Sequence, residues 1–302
     1  MIKIMVVGAG GQLGKQLSEL ARQTENIELF AYDRQALDIC DSDAIENVIS
    51  TVQPQCVVNA AAYTAVDKAE SDVENAFLIN ETGAENLANT CAQADVPLIH
   101  ISTDYVFNGK KDSPYNEEDA TDPQNIYGQS KLKGEEAVRD VLNKHIILRV
   151  SWVFGLHGNN FVKSILRLAR EREQLNIVAD QLGCPTSTVN ISQVILQMIP
   201  QICQPDFKKF GTYHYCDAPE TTWFGFASAI VEQANTLLTN KPTQLAIKQI
   251  IPIMTHEYPT PAKRPVNSRM DTSLLTKTFG INQAQWRPEL DKLMQELLLN
   301  EL

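Results

Sequence analysis

The sequence predicts an α/β protein: a Rossmann-type doubly wound parallel sheet with a smaller C-terminal α/β substrate-binding lobe. Three observations predict it. Through the first 150 residues, short apolar runs alternate with longer helical stretches. Those runs are continuously apolar rather than alternating, as in parallel strands covered on both faces. A glycine-rich turn, Gly8-Ala9-Gly10-Gly11-Gln12-Leu13-Gly14, joins the first run to the first helical stretch, which is where such sheets hold a dinucleotide.

Taken in order, residues 2–7 read as a strand, 12–24 as a helix, 27–32 as a strand and 42–52 as a helix. Residues 56–60 (CVVNA) form a third strand, 71–94 a long helix, 97–102 a strand, 130–142 a helix and 146–150 (IILRV) the next strand. After Trp152 the rhythm loosens. Helices are expected over 160–172, 192–199, 222–238, 273–279 and 287–299, with a short strand at 177–179. Pro252, Pro259, Pro261 and Pro265 make 251–265 loop or extended chain. A dinucleotide-binding domain over 1–152 and a substrate-binding lobe over 153–302 are expected, with some later segments returning to the first domain.

Composition narrows the function. The chain has 302 residues, 43% hydrophobic and 21% charged, with net charge −11, the profile of a soluble globular protein. That balance argues against a broad nucleic-acid surface, yet leaves small anionic ligands open, since a few arginines or a helix N-terminus can serve them. The six cysteines are scattered with no C-x-x-C pair, which suggests reduced thiols and a cytoplasmic location. No histidine or cysteine spacing suggests a metal site. The first strand runs straight into the glycine turn with no room for a signal peptide, and no apolar run approaches the ~20 residues of a membrane span.

Tyr127 and Lys131 stand four residues apart, so on a helix both point into one pocket. A cation beside a phenol lowers its pKa, giving a proton donor suited to a ketone that becomes an alcohol. Gly8, Gly11 and Gly14, with the first helical turn at Gln12 and Leu13, suit a pyrophosphate. Asp33 follows the second strand about 20 residues after Gly14, where an acid accepts from an adenosine ribose. Arg34 beside it suits a 2′-phosphate, so NADPH and NADH both stay open. Asp38 and Ile39 are candidates for the adenine side. The small residues Ala60, Ala61 and Ala62, with Thr64 beyond them, let a flat cofactor lie against backbone. Thr103 ends the fourth strand, where its hydroxyl can hold a carbonyl beside Tyr127 and steady the developing oxyanion.

Longer strings carry a resemblance: GGQLG (10–14), VVNAAAYTAVDKAE (57–70), STDYVF (102–107), IYGQSKLKGE (126–135), SWVFG (151–155), GNNF (158–161) and YPTPAKRPVNSRM (258–270). With these the chain resembles, nearly end to end, the extended short-chain dehydrogenase/reductase family, and within it the branch acting on dTDP-linked 4-keto-6-deoxy sugars. The resemblance implies reduction of a C4 ketone by NADPH or NADH without a metal. It assigns catalysis to Thr103, Tyr127 and Lys131. It assigns substrate contacts to Thr103, Asp104, Val106, Tyr127, Trp152, Asn159, Arg264, Asn267 and Arg269. Trp152 would offer an aromatic face to the sugar, the two arginines planar cations to the diphosphate, and Asn267 a hydrogen bond to the nucleotide. Some family members dimerise through a metal held by glutamates; the aligned positions here are Gln16 and Val189, so a monomer is expected. The related dehydratases follow the threonine with an Asp-Glu pair, whereas this chain has Asp104-Tyr105. A regulatory subunit of the methionine adenosyltransferase-β type shares the fold and a similar S-x-D-Y-V-F string.

Overall fold

The structure is a computed structural model that describes residues 1–239, 241 and 244–299. Strands β1 (Ile2–Val7), β2 (Ile27–Tyr32), β3 (Cys56–Asn59), β4 (Leu98–Thr103) and β5 (His145–Val150) alternate with helices α1 (Gln12–Gln23), α2 (Ser42–Val52), α3 (Val66–Ala69), α4 (Val73–Phe77), α5 (Gly83–Gln93) and α6 (Ile126–Val141). Beyond them come β6 (Val153–Phe154), α7 (Phe161–Glu171), β7 (Gln174–Val178), β8 (Leu182–Gly183), β9 (Thr186–Ser187), α8 (Thr188–Ile202), β10 (Gly211–Tyr215), β11 (Thr221–Thr222), α9 (Trp223–Leu238), β12 (Gln249–Ile253), α10 (Ser273–Phe279) and α11 (Trp286–Leu299). The central sheet has the order β10-β5-β4-β3-β1-β2, and every pair in it is parallel.

Apolar strand residues feed both faces of this sheet. Val6, Val58, Ile146 and Leu148 pack with α1 and α8, while Met5, Val57, Leu98 and Ile147 pack with α2 and α5. A separate core of Phe154, Val162, Phe226, Ile230, Trp286 and Met294 joins α7, α9 and α11 in the second lobe. The helix starts follow local capping chemistry: Asp41, Asn125, Asn160, Ser187 and Thr222 each accept a backbone N–H of the first turn through the side chain.

Four expectations change. The helix predicted over 130–142 begins four residues earlier, because Asn125 caps it, and this puts Tyr127 in its first turn. The helix predicted over 71–94 is interrupted by a π-helical segment, Leu78–Thr82. That extra residue turns Asn80 inward. Its Oδ1 accepts the Tyr63 N–H, and its Nδ2 donates to the Tyr63 carbonyl and Ser130 Oγ, so the loop after β3 has its backbone satisfied. The third change is β10, a strand missed in the sequence. It pairs with β5, and α8 packs on α1, so the central sheet is finished by residues well beyond 152. The expected short strand at 177–179 is the longer β7, paired in parallel with β12, which overlaps the start of the proline-rich region.

Between α6 and the sheet lies a buried ion pair. Arg149 on β5 donates to both Glu135 oxygens, at 2.8 and 2.6 Å. Ser102 Oγ of β4 donates to Oε1 at 2.6 Å, and Arg139 reaches Oε2 at 3.1 Å. Burial pushes the Glu135 carboxyl up, but the hydrogen bonds and charge of Arg149, with Ser102 and Arg139, more than offset it, so it sits below its usual range. Removing one partner of such a pair strands the other charge. Glu135→Gln should therefore lower unfolding free energy by about 3–5 kcal/mol. Urea denaturation at neutral pH checks this, and a loss below ~1 kcal/mol would show that Arg149 finds another partner.

Candidate active site

The site forms beyond the carboxyl ends of β1, β3 and β4, with α6 alongside. At its floor the glycine turn passes close to the loop after β3. Gly8 has φ +76, and a Cβ there would fall 2.4 Å from the Ala61 nitrogen. A Cβ on Gly14 would fall 2.2 Å from the Gly8 carbonyl oxygen. No side chain caps α1, so its first-turn N–H groups are left for an anionic ligand. A cleft of about 210 Å³ opens here, lined by Gly8, Gly10, Gly11, Arg34, Leu37, Asp38, Ile39, Ala60, Ala61, Ala62 and Ile79. These residues fit a dinucleotide: the backbone is bare where the pyrophosphate lies, and small side chains flank it.

Within this cleft the expected cofactor residues divide. Gln12 turns its amide to the second lobe, donating to the Val153 carbonyl at 3.4 Å and accepting from Asn160 at 2.9 Å. The Leu13 side chain belongs to the core under the sheet, so its backbone is the part left for a ligand. Asp33 Oδ1 accepts the N–H groups of Gln35 and Ala36, capping its own turn. The exposed Arg34 lines the cleft, 3.7 Å from Asp38. Asp38 Oδ1 accepts the Cys40 N–H, and that bond leads in holding its carboxyl below the usual range. Thr64 is exposed beyond the alanines.

Thr103 and Tyr127 come together as expected. The Tyr127 side chain is half-buried with its hydroxyl the enclosed end, close to Thr103. Thr103 Oγ1 also accepts the Tyr105 N–H at 3.2 Å and donates to Asp104 Oδ1 at 3.1 Å. Gly128 permits this approach, since a Cβ there would lie 2.2 Å from the Tyr105 carbonyl oxygen. Asp104 is buried, and among the described residues its Oδ2 has no hydrogen-bond partner; nor has Ser268 Oγ, which lies close by. Burial lifts the Asp104 carboxyl to about 6, eased downward by Ser268 and Thr103.

Lys131 departs from expectation. Its Nζ donates to the Ile101 carbonyl at 2.7 Å and lies 3.3 Å from His100 Nε2. Burial dominates both members of the expected pair. It pushes the Tyr127 phenol up to about 12, with the Thr103 hydrogen bond pulling down and the Asp104 charge pushing up. It brings Lys131 down to about 8, with Glu135 opposing. The phenol is thus raised where a lowering by the amine was expected: burial dominates, and the amine is drawn toward the strand.

The neighbours of the remaining expected substrate residues limit what two of their side chains can offer. Val106 is fully buried with Phe107, Tyr115 and Leu132. Asn267 uses its whole amide: Nδ2 donates to the Lys111 and Ser113 carbonyls, and Oδ1 accepts from Arg269 N and Nε. It braces the loop and has nothing left for a nucleotide. Arg269 donates to Glu220 and to the Asp112 carbonyl, and Arg264 to Asp67 at 2.7 Å. Trp152, at φ 46, stacks on Trp223 with centroids 3.5 Å apart, so one aromatic face is taken. Asn159 is exposed on the loop before α7. Sequence reading missed Asn59, His100 and Ser268. A lone histidine inside the apolar run LIHIS was the available signal for His100.

The sheet, the glycine turn and the Thr-Tyr-Lys group define a Rossmann-type protein of the short-chain dehydrogenase/reductase class. A family model described as the RmlD substrate binding domain matches residues 2–299. A dTDP-4-dehydrorhamnose reductase of Aggregatibacter actinomycetemcomitans is 40% identical over 292 residues, covering 96% of this chain and 97% of that protein. The enzyme of that name from Escherichia coli K12 is 38% identical over 98% of each chain. The crystal structure of dTDP-4-dehydrorhamnose reductase from Bacillus anthracis in complex with NADP superposes with TM-score 0.89 at 35% identity, covering 98% of this chain and all of that one. The chain belongs to the dTDP-4-dehydrorhamnose reductase family.

Two outcomes follow from the geometry. A Cβ on Gly11 would meet the Gly8 carbonyl oxygen at 3.3 Å, so Gly11→Val should fold near-normally while intruding on the cleft. Calorimetric titration should show NADPH affinity reduced by roughly tenfold or more; unchanged affinity would remove the glycine turn from the cofactor site. The raised carboxyl of Asp104 means the folded state holds its proton more tightly than the unfolded chain. Stability is thus lost as pH rises from about 4 through about 6. Asp104→Asn removes this term, so the variant should match the parent near pH 4 and exceed it by about 2–3 kcal/mol above pH 6.5. Denaturant curves across that range test the sign.

Proposed function

We propose that the protein reduces the C4 ketone of dTDP-4-dehydrorhamnose, a dTDP-linked 4-keto-6-deoxy sugar, to give dTDP-L-rhamnose, using NADPH or NADH. The observation that carries this reading is the enclosed Tyr127 hydroxyl beside Thr103 at the end of β4, next to a bare-backbone cleft. NADPH, when bound, supplies the hydride. Gly8, Gly11, Gly14 and Ala60–Ala62 would hold it. Arg34 lines the cleft while the Asp33 carboxylate is turned to its own backbone, which favours NADPH without excluding NADH.

Tyr127 hydrogen-bonds the C4 oxygen, and Thr103 joins it by turning its hydroxyl from Asp104. As negative charge develops there, the phenol releases its proton to the oxygen and Thr103 holds the product hydroxyl. A phenol kept protonated by burial is ready for that step. The unpaired Asp104 Oδ2 and Ser268 Oγ suit sugar hydroxyls, since a buried polar atom without a partner is costly until a ligand supplies one. Lys131 orients groups at the inner end of the site. Arg264 would leave Asp67 for the diphosphate. The dinucleotide is assigned to residues 1–152 together with β10 and its flanking helices, and the sugar nucleotide to the remaining lobe, in a monomer.

Tyr127→Phe keeps the pocket and removes the proton. Turnover of dTDP-4-dehydrorhamnose, followed by loss of NADPH absorbance and identification of the sugar product, should fall about 10²–10⁴-fold, mostly in kcat. Near-normal turnover in this variant, or none in the parent with either cofactor, would overturn the reading.

A further inference from the structure

His100 sits in the middle of β4 and is buried. Its two ring nitrogens meet two different side chains: Nδ1 lies 3.1 Å from Asn59 Nδ2, and Nε2 lies 3.3 Å from Lys131 Nζ. The Asn59 amide has a fixed orientation, because its Oδ1 accepts the Ala61 N–H at 3.0 Å. The group facing His100 is therefore the NH₂, a donor. A donor there requires a lone pair on Nδ1. A neutral imidazole has one N–H and one lone pair, which places the ring proton on Nε2. That N–H points at Lys131. An ammonium has donors only, so it would set donor against donor; a neutral amine offers a lone pair and completes the hydrogen bond. Donation from Nζ to the Ile101 carbonyl is open to either form.

We infer that Asn59 and His100 are positioning residues that lock one imidazole tautomer and thereby hold Lys131 toward its neutral amine. This deepens the reading of the active site above and rests on it for its meaning in turnover. Burial acts in the same direction on Lys131 and, with the charges of Lys131, Arg139 and His145, keeps His100 well below its usual value. Glu135, from the same helix, opposes by favouring the ammonium, but it is bound to Arg149 and Arg139. The lysine is thus set to change charge close to neutrality.

The test reads the ring and the amine directly. In histidine-labelled protein, NMR should show His100 as the Nε2–H tautomer, unchanged from about pH 6 to about pH 9; an Nδ1–H tautomer would overturn the lock. Asn59→Asp provides a carboxylate that still accepts the Ala61 N–H but also accepts from Nδ1. The ring proton should move to Nδ1, and the Lys131 midpoint, followed on its side-chain resonances, should rise by roughly one pH unit or more. The alkaline limb of turnover should move with it. A midpoint that stays put, or one that rises without the tautomer change, would leave a plain charge effect and overturn the inference. Should Asn59→Asp not fold, the parent tautomer still decides. Both resonances are read without substrate, so failure of the proposed reductase activity would be seen separately.

Discussion

The position of helix α6 is the constraint on which the site depends, and the buried Glu135–Arg149 pair sets it. Tyr127, Lys131 and Glu135 are spaced by fours and share one helix face. Glu135 is tied to Arg149 of β5 and Ser102 of β4, which fixes the rotation of the helix about its axis. The same rotation delivers Lys131 to His100 and the Ile101 carbonyl, and Tyr127 to Thr103. A charge pair enclosed in this way contributes little net stability compared with well-packed apolar residues. Its strength here lies in directionality, since two parallel hydrogen bonds from a planar guanidinium permit one arrangement of helix against sheet.

The titratable groups behind that face share a pattern. Burial moves Asp104 and Tyr127 up and Lys131 down, so each is driven toward its uncharged form. A pocket of this kind holds neutral groups more readily than charged ones. Around it the cations of the second lobe are held by carboxylates, Arg264 by Asp67 and Arg269 by Glu220. The Arg264 contact, with the Asn125 amide on the Lys263 carbonyl and the Gln12–Asn160 pair, also stitches the two lobes together across the cleft.

Much of this was legible in the sequence, because local chemistry decides it. Continuous apolar runs gave the first five strands nearly to the residue, and the glycine turn was placed by its position between strand and helix. The start of α6 was not read, since it depends on one Asn125 side chain reaching Gly128. The π-helical segment exists to turn Asn80 toward a loop 17 residues earlier, and no periodicity encodes that. Spacing correctly put Tyr127 and Lys131 on one face but could not give the balance between charge and desolvation. The side chains of Val106 and Asn267, inferred as substrate contacts, are buried or already bonded for a related reason: residue type suggests what a side chain can do, while its neighbours decide what capacity remains.

The edge strand β10 has a consequence for how the chain is made. The sheet's sixth strand lies about sixty residues after its neighbour β5, with α7, β7 and α8 between them in sequence. As the chain leaves the ribosome, β5 and its apolar run emerge while one edge has no partner, and stay so until residue 215 is out. Strand pairing over such separations is slow, and unpaired edges invite association with other chains. His214 on β10, lying 3.4 Å from Arg149 through Nε2, connects the late strand to the charge pair behind α6. The last strand to arrive thus completes the packing around the charge pair that sets α6, so synthesis through residue 215 is a condition for finishing the central sheet.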